Sequence, residues 1–428
     1  MCAVVVSLSV DHSYQIQNED ITGTEGFIVS EISSTQKTKH FVFEDIDNHK
    51  YLIYTDKYSR LFYGDKISIT GNIKIPENFE NENGIVFDYR NYLLKDAITH
   101  TSFYPDISVI EKNSKKDHKS YIFKIKDYFV QQSNKIFNYD TSKLVLGIIF
   151  GIKDSIDPNL EENFRRTGLI HILVLSGFNL TIIAYFVFWL LSFLHRNIRY
   201  LLSLFFIVIF VIMVGAGATI IRAGIMISLF IFSKLFRRNS FSANTLFFAG
   251  AIMIFVNPMI LLHDPSFQLS FVATLGLVSF YEPVSNALKF LPEKFSIKEI
   301  VASNISVQIT VVPMLIYLMG EFSIVSLIPN LLVLPIIPLF MAVSFLAICL
   351  SFFSTSLSIP VVFFSEKISD WMILIVNSFG NLSFSIIKTG IISTQFLLST
   401  YLIFLLVILS LDIRNKIIEK QKYRYLLS

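Results

Sequence analysis

Hydrophobic and polar positions divide the chain into two unlike parts. Between Gly26 and Ile110, apolar runs of four to six residues alternate with polar turns. The runs Gly26–Ser30, His40–Glu44, Tyr51–Tyr54 and Lys66–Gly71 are rich in aromatic and β-branched side chains, and the clusters Asp45–Lys50 and Phe79–Gly84 separate them. Short strands of regular spacing predict a small barrel or sandwich. The turn at Gly64-Asp65 suits a five-stranded OB-like barrel. From Asp117 to Asn138 the period changes, and Lys119, Lys124, Lys126 and Lys135 interleave with Tyr121, Ile122, Ile125, Tyr128 and Phe129. That pattern predicts an amphipathic basic-aromatic helix on a bilayer surface, with a second over Thr141–Ile152.

Beyond Gly168 the polar interruptions thin out, and apolar segments recur near the roughly 20 residues that span hydrocarbon. Nine are predicted: Gly168–Leu194, Ile198–Val214, Ala218–Phe236, Ala243–Leu262, Ser266–Tyr281, Glu299–Met319, Phe322–Cys349, Ile359–Phe379 and Thr394–Leu411. The predicted fold class is a polytopic α-helical membrane protein with an N-terminal external β-barrel domain of OB-like type. Its parts are a β domain over 1–115, amphipathic surface helices over 116–153, a transmembrane domain over 154–412 and a basic cytoplasmic tail over 413–428.

Composition agrees. Of 428 residues, 53% are hydrophobic and 16% charged, with 42 Phe, whereas a soluble domain is about a quarter charged. Met1–Lys119 holds 13 basic against 18 acidic residues and the remainder 23 against 15, so an acidic domain precedes a basic membrane part. The Lys and Arg clusters Arg196/Arg199, Lys234/Arg237/Arg238, Lys289/Lys294/Lys298 and Arg414/Lys416/Lys420/Lys422/Arg424 follow spans one, three, five and nine. The loops Gly215–Gly217, His263-Asp264 and Gly320-Glu321 carry none. The positive-inside rule then places the C-terminus in the cytoplasm and the β domain outside, with Arg165-Arg166 as an exception. The apolar Cys2–Val10 is too short for a signal peptide and reads as the stump of a longer helix. Cys2 and Cys349 stand too far apart in the pattern to suggest a disulfide or a metal site.

Ionisable groups in hydrocarbon are costly and therefore candidates for function. Here they are His171, Arg222, Asp264 and Glu321. For Asp264 and Glu321 an interfacial capping role competes, and Asp264-Pro265 has the form of a helix start. Ser176-Gly177 interrupts the first span, and such breaks are tolerated where backbone lines a cavity or packs on neighbours. Gly215-Ala-Gly217-Ala-Thr219 predicts close helix approach. Asn304 and Gln308 share a face, and Gln268, Ser270 and Asn330 add polar groups. His171 and Ser176 do not form a nucleophile–base pair. The chain shows neither a Walker phosphate loop nor metallohydrolase spacing, so it is expected not to be an enzyme and to need no cofactor.

The stretch Gly168-Leu-Ile-His171-Ile-Leu-Val-Leu-Ser176-Gly177-Phe-Asn179 resembles the signature of the ComEC competence family. Leu146-Gly147…Gly151, Gly217…Arg222-Ala223…Met226, Asn257-Pro258…Asp264-Pro-Ser-Phe267-Gln268-Leu-Ser270-Phe271 and Pro313…Asn330…Pro335 match in order. Phe87–Leu93 resembles the end of the family's external domain. The resemblance implies a channel that passes single-stranded DNA through the cytoplasmic membrane during natural transformation. Its wall would be drawn from His171, Ser176, Gly177, Asn179, Arg222, Asp264, Gln268, Ser270, Asn304, Gln308 and Asn330. The implied partners are single-stranded DNA, membrane lipid, an external DNA receptor, an ATP-driven cytoplasmic helicase and single-strand-binding or recombination proteins. The implied arrangement leaves room for a homo-oligomer. Many members begin with extra helices and end in a metallo-β-lactamase-like domain, both missing from this sequence, so a separate nuclease is expected. The competing reading is a secondary transporter of a small anionic solute, which broken helices fit as well.

Overall fold

The computed structural model describes residues 19–426 apart from 36, 116, 153–155, 174, 237–241 and 293–296. Cys2–Val10, Arg237, Arg238 and Lys294 lie outside the described residues.

Alternation along the first third builds a seven-stranded sheet from β1 (Glu19–Ile28), β2 (Ser33–Ser34), β3 (Thr38–Asp45), β4 (Lys50–Asp56), β5 (Lys66–Ile73), β8 (Ile98–Phe103) and β9 (Asp106–Glu111). The order is β8-β4-β3-β1-β5-β9, with β2 on β3. All pairs are antiparallel except β4–β8. A bridge between Lys74 and Thr101 joins the two sides of the sheet, its paired amides each donating over 2.8 Å. Inward positions Ile28, Phe41, Phe43, Ile53, Ile67 and Ile69 fill the interior. Gly26 is required where β1 crosses β3, since a Cβ there would stand 2.2 Å from the Glu44 carbonyl oxygen. Phe79–Gly84, expected as a turn, instead opens a small hairpin of β6 (Phe79–Glu80) and β7 (Val86–Phe87). Phe87–Leu93 does not end the domain. Asp88 caps the helix α1 (Tyr89–Leu94) by accepting from the Asn91 amide, and β8 and β9 follow.

The basic-aromatic segment forms α2 (His118–Ile136), capped by Asp117. Its buried Lys126 reaches back to Glu31 in the β domain, 2.7 Å away. The next helix, α3 (Tyr139–Phe150), corrects the surface-helix expectation. Nine of its 12 residues are buried, because Leu144–Phe150 is apolar on every side. It forms the centre of the largest core together with α4 (Pro158–Arg166) and α5 (Ile170–Leu173). Three later helices complete that core: α13 (Leu327–Val333), α14 (Ile337–Phe353) and α15 (Thr355–Gly380).

The remaining helices are α6 (Gly177–Leu190), α7 (Arg196–Met213), α8 (Ala218–Leu235), α9 (Ser242–Val256), α10 (Ile260–His263), α11 (Pro265–Ala287), α12 (Ile297–Met319) and α16 (Thr394–Leu426). Among the described residues, α7, α8, α11, α12 and the run Leu327–Phe353 are long and apolar enough to cross a membrane. Gly177–Leu190, Ala243–Val256 and Thr394–Ser410 are apolar but shorter. The chain is a multi-helix membrane protein with a strand-rich N-terminal domain. Several expected limits move. The first span is two helices, α5 and α6, parted around Ser176-Gly177. The fifth runs six residues past Tyr281. The seventh does not begin at Phe322, since Glu321–Ser323 is a strand, β10, paired with β11 (Ile386–Lys388).

The small residues Gly215–Gly217 do not bring helices together. A Cβ on Gly217 would meet nothing within 4 Å, and Gly215 and Ala216 serve a turn at positive φ. Close approach occurs at Gly276 instead, where a Cβ would lie 2.0 Å from Thr310 Oγ1 and 2.8 Å from the Ser306 carbonyl oxygen. Gly276→Ala should therefore separate α11 from α12 and cost about 1–3 kcal/mol. Gly217→Ala should be near neutral. Thermal unfolding in detergent checks both.

Candidate functional site

The break between α5 and α6 frees backbone groups that hydrocarbon cannot satisfy. Ser176 caps α6, its Oγ accepting from the Asn179 amide at 3.4 Å. The Asn179 side chain is fully buried, and its Nδ2 donates to the carbonyls of Ile148 in α3 (3.1 Å) and Ile172 in α5 (3.4 Å). Both amide hydrogens are thus committed to backbone. Asn179 thereby ties α6 to α3 and α5. Gly177 packs against α8: a Cβ there would stand 3.3 Å from Ala223 Cβ and 3.4 Å from Arg222 Nη2. Arg222 is 7% exposed, and its Nη1 donates to Thr274 Oγ1 on α11. Thr274 Oγ1 in turn donates to the Ser270 carbonyl. Ser176, Gly177, Arg222 and, through its backbone, Ser270 are therefore neighbours. His171 is exposed on α5, its Nδ1 2.9 Å from the Gly168 carbonyl.

A second polar set lies between α12 and the start of α13. Gln308 Nε2 donates to Asn304 Oδ1 (2.7 Å) and to Ser326 Oγ (2.9 Å). The buried Asn330, one turn along, has an Oδ1 without a hydrogen-bond partner among the described residues.

The other candidates belong to the seam with the β domain. Asp264 does start α11 as the Asp-Pro pattern predicts, its Oδ1 accepting from the amides of Ser266 (2.9 Å) and Phe267 (3.3 Å). Its second oxygen faces Lys95 Nζ at 3.5 Å. Lys95 also bonds Asp96 at 2.8 Å and lies over the Tyr92 ring, and its carbonyl accepts from Asn257 Nδ2 at 2.6 Å. Burial works against the Lys95 ammonium. The hydrogen bond and charge of Asp96, with Tyr92 and Asp264, outweigh it and raise its pKa above the ordinary lysine value. Gln268 serves the helix before it, Nε2 donating to the carbonyls of Leu261 and Leu262.

Glu321 is not a helix cap. It sits buried on β10 and pairs with Arg165, which also holds Glu162. Arg166 bonds Ser385 Oγ and the Leu382 carbonyl. Both arginines are thus held by protein partners. The Asn83 side chain in the small hairpin donates to the Met319 carbonyl at 2.7 Å. Lys95 and Asn83 carried no signal in the sequence, since Asp264 and Asn257 meet Lys95, and Met319 meets Asn83, only through contacts more than 150 residues away.

Between β domain and helices lies a cavity of about 1,020 Å³. Its wall includes Tyr54, Tyr89 and Tyr92 on one side, and Gly151, Val214 and Gly215 on the other.

The Competence protein family model matches residues 148–414, the helices that carry both polar sets. The ComE operon protein 3 of Bacillus subtilis (strain 168) is 24% identical over 275 residues, covering 64% of this chain and 34% of that protein. An uncharacterized protein of Aquifex aeolicus (strain VF5) is 30% identical over 156 residues, 36% of this chain and 37% of that protein. The matched region therefore spans about a third of each of these relatives. No solved structure matches.

Asn179→Leu should leave two buried carbonyls unpaired at about 1–3 kcal/mol each, so melting temperature and yield should fall together. Lys95→Met should lower the melting temperature by a few degrees at neutral pH. A raised lysine pKa stabilises below the unfolded value of about 10.4 and is lost as pH climbs through the folded one. The gap between variant and wild type should accordingly close only in strong alkali, as a pH series of unfolding curves would show.

Proposed function

Because this chain belongs to the Competence protein family, we propose that it conducts single-stranded DNA across the cytoplasmic membrane during natural transformation. The observation that carries this reading is the coincidence of the family match with the helices holding Ser176, Arg222, Thr274, Asn304, Gln308 and Asn330. A strand bearing one negative charge per nucleotide cannot enter hydrocarbon. It needs polar walls with few fixed cations, since many tight phosphate contacts would stall it.

We read the helical segments as nine spans, with the β domain outside and the C-terminus in the cytoplasm. The β domain fits an OB-type barrel: five of its strands follow the order first, second, third, fifth, fourth, with the third and fifth parallel. The cavity beneath it makes a vestibule. The protein itself is proposed to catalyse nothing. Force, strand degradation and capture outside would come from an ATP-driven helicase, a nuclease and a DNA receptor.

A deletion strain should lose cytoplasmic entry of labelled DNA while DNA still binds to the cell surface. Entry at the wild-type rate would overturn the proposal, and loss of small-anion uptake alone would favour the solute transporter.

A further inference from the structure

The N-terminus of α6 and the guanidinium of Arg222 meet at one point, and both are positive. The first amides of a helix have no partner within the helix, and the macrodipole adds about half a positive charge there. Arg222 lies against the first residue of this helix, with Nη2 3.4 Å from where a Gly177 Cβ would stand. Among the described residues its guanidinium hydrogen-bonds only the neutral Thr274, its Nε is buried without a partner, and it makes no ion pair. Elsewhere in the described part, cations that are similarly withdrawn from water are matched: Lys126 has Glu31 and Lys95 has Asp96 and Asp264. A buried charge lacking a partner is strongly unfavourable. A helix N-terminus is the wrong place for a cation and the right place for an anion.

We propose that Ser176-Gly177 at the start of α6 and Arg222 form a seat for one phosphodiester of the strand, resting on the DNA-conduction reading. Access fits this use. Leu175, next to the helix start, packs on Gly151, and Gly151 lines the vestibule under the β domain. A single seat of one guanidinium and one helix end holds one phosphate at a time. Gly177 keeps the guanidinium close to the amides, because any side chain there would stand between them.

The test uses the full chain in lipid-free detergent with fluorescent oligothymidine. A charge-assisted contact is worth about tenfold or more in affinity. Arg222→Gln should weaken binding by about that factor and flatten the slope of log K against log salt by about 0.7, one phosphate on a single strand. Arg222→Lys should keep the wild-type slope. Oligothymidine with uncharged methylphosphonate linkages should bind wild type and Arg222→Gln alike. Equal affinity and slope for phosphodiester oligothymidine in wild type and Arg222→Gln would remove the seat and leave conduction standing. If Arg222→Gln does not fold, Gly177→Ala should weaken oligothymidine in its place, and unchanged binding there would also overturn the seat. Inorganic phosphate should raise the melting temperature of wild type and not of Arg222→Gln. That shift without any binding of oligothymidine would keep an anion seat and remove DNA as its source. Displacement of oligothymidine by phosphatidylglycerol would reassign the seat to lipid headgroups.

Discussion

A helix that breaks within an apolar run must satisfy its freed backbone from within the protein, and here Ser176 and Asn179 share that role. Asn179 reaches from α6 to carbonyls on α3 and α5. That bond set fixes the angle at which α6 leaves the break. It also places the start of α6 against α8 and so against Arg222. The buried α3 is part of the same arrangement, because an asparagine can bridge to its backbone only if nothing else covers it. The largest core of the molecule, from Leu144 to Phe164 and on to Phe340 and Val376, is built around this helix.

The architecture was largely legible in the sequence. Strand positions in the β domain follow from period-two runs, and long spans follow from apolar length. The Asp264-Pro265 start and the Ser176-Gly177 break follow from local chemistry that does not depend on distant residues. The failures share one cause. Thr141–Ile152 was expected at a surface because its length and neighbours suggested amphipathy, but tertiary contacts enclose it. Asn179 has no visible partner in a one-dimensional reading, and its bonds to α3 and α5 come only from the fold. Lys95, Asn83 and Thr274 also meet Asp264, Met319 and Arg222, which lie far away in the chain, and the sequence does not mark those contacts.

The join between the two parts of the molecule is polar. Lys95 with Asp264, Asn257 with the Lys95 carbonyl, Asn83 with the Met319 carbonyl and Lys126 with Glu31 link them directly. Burial of such groups costs free energy that their pairing only roughly offsets. Their contribution is therefore orientation rather than cohesion, and they set how the β domain sits on the helices.

Thr310 has a consequence for mechanics. Its hydroxyl donates to the Val272 carbonyl on α11, its own carbonyl accepts from the Tyr401 hydroxyl on α16, and Gly276 lets the two backbones close on it. Three helices are riveted at one residue. Thr274 beside Arg222 and Gln308 beside Ser326 therefore stand on two helices that are joined at this point, so a substitution at Thr310 would reach both polar sets at once.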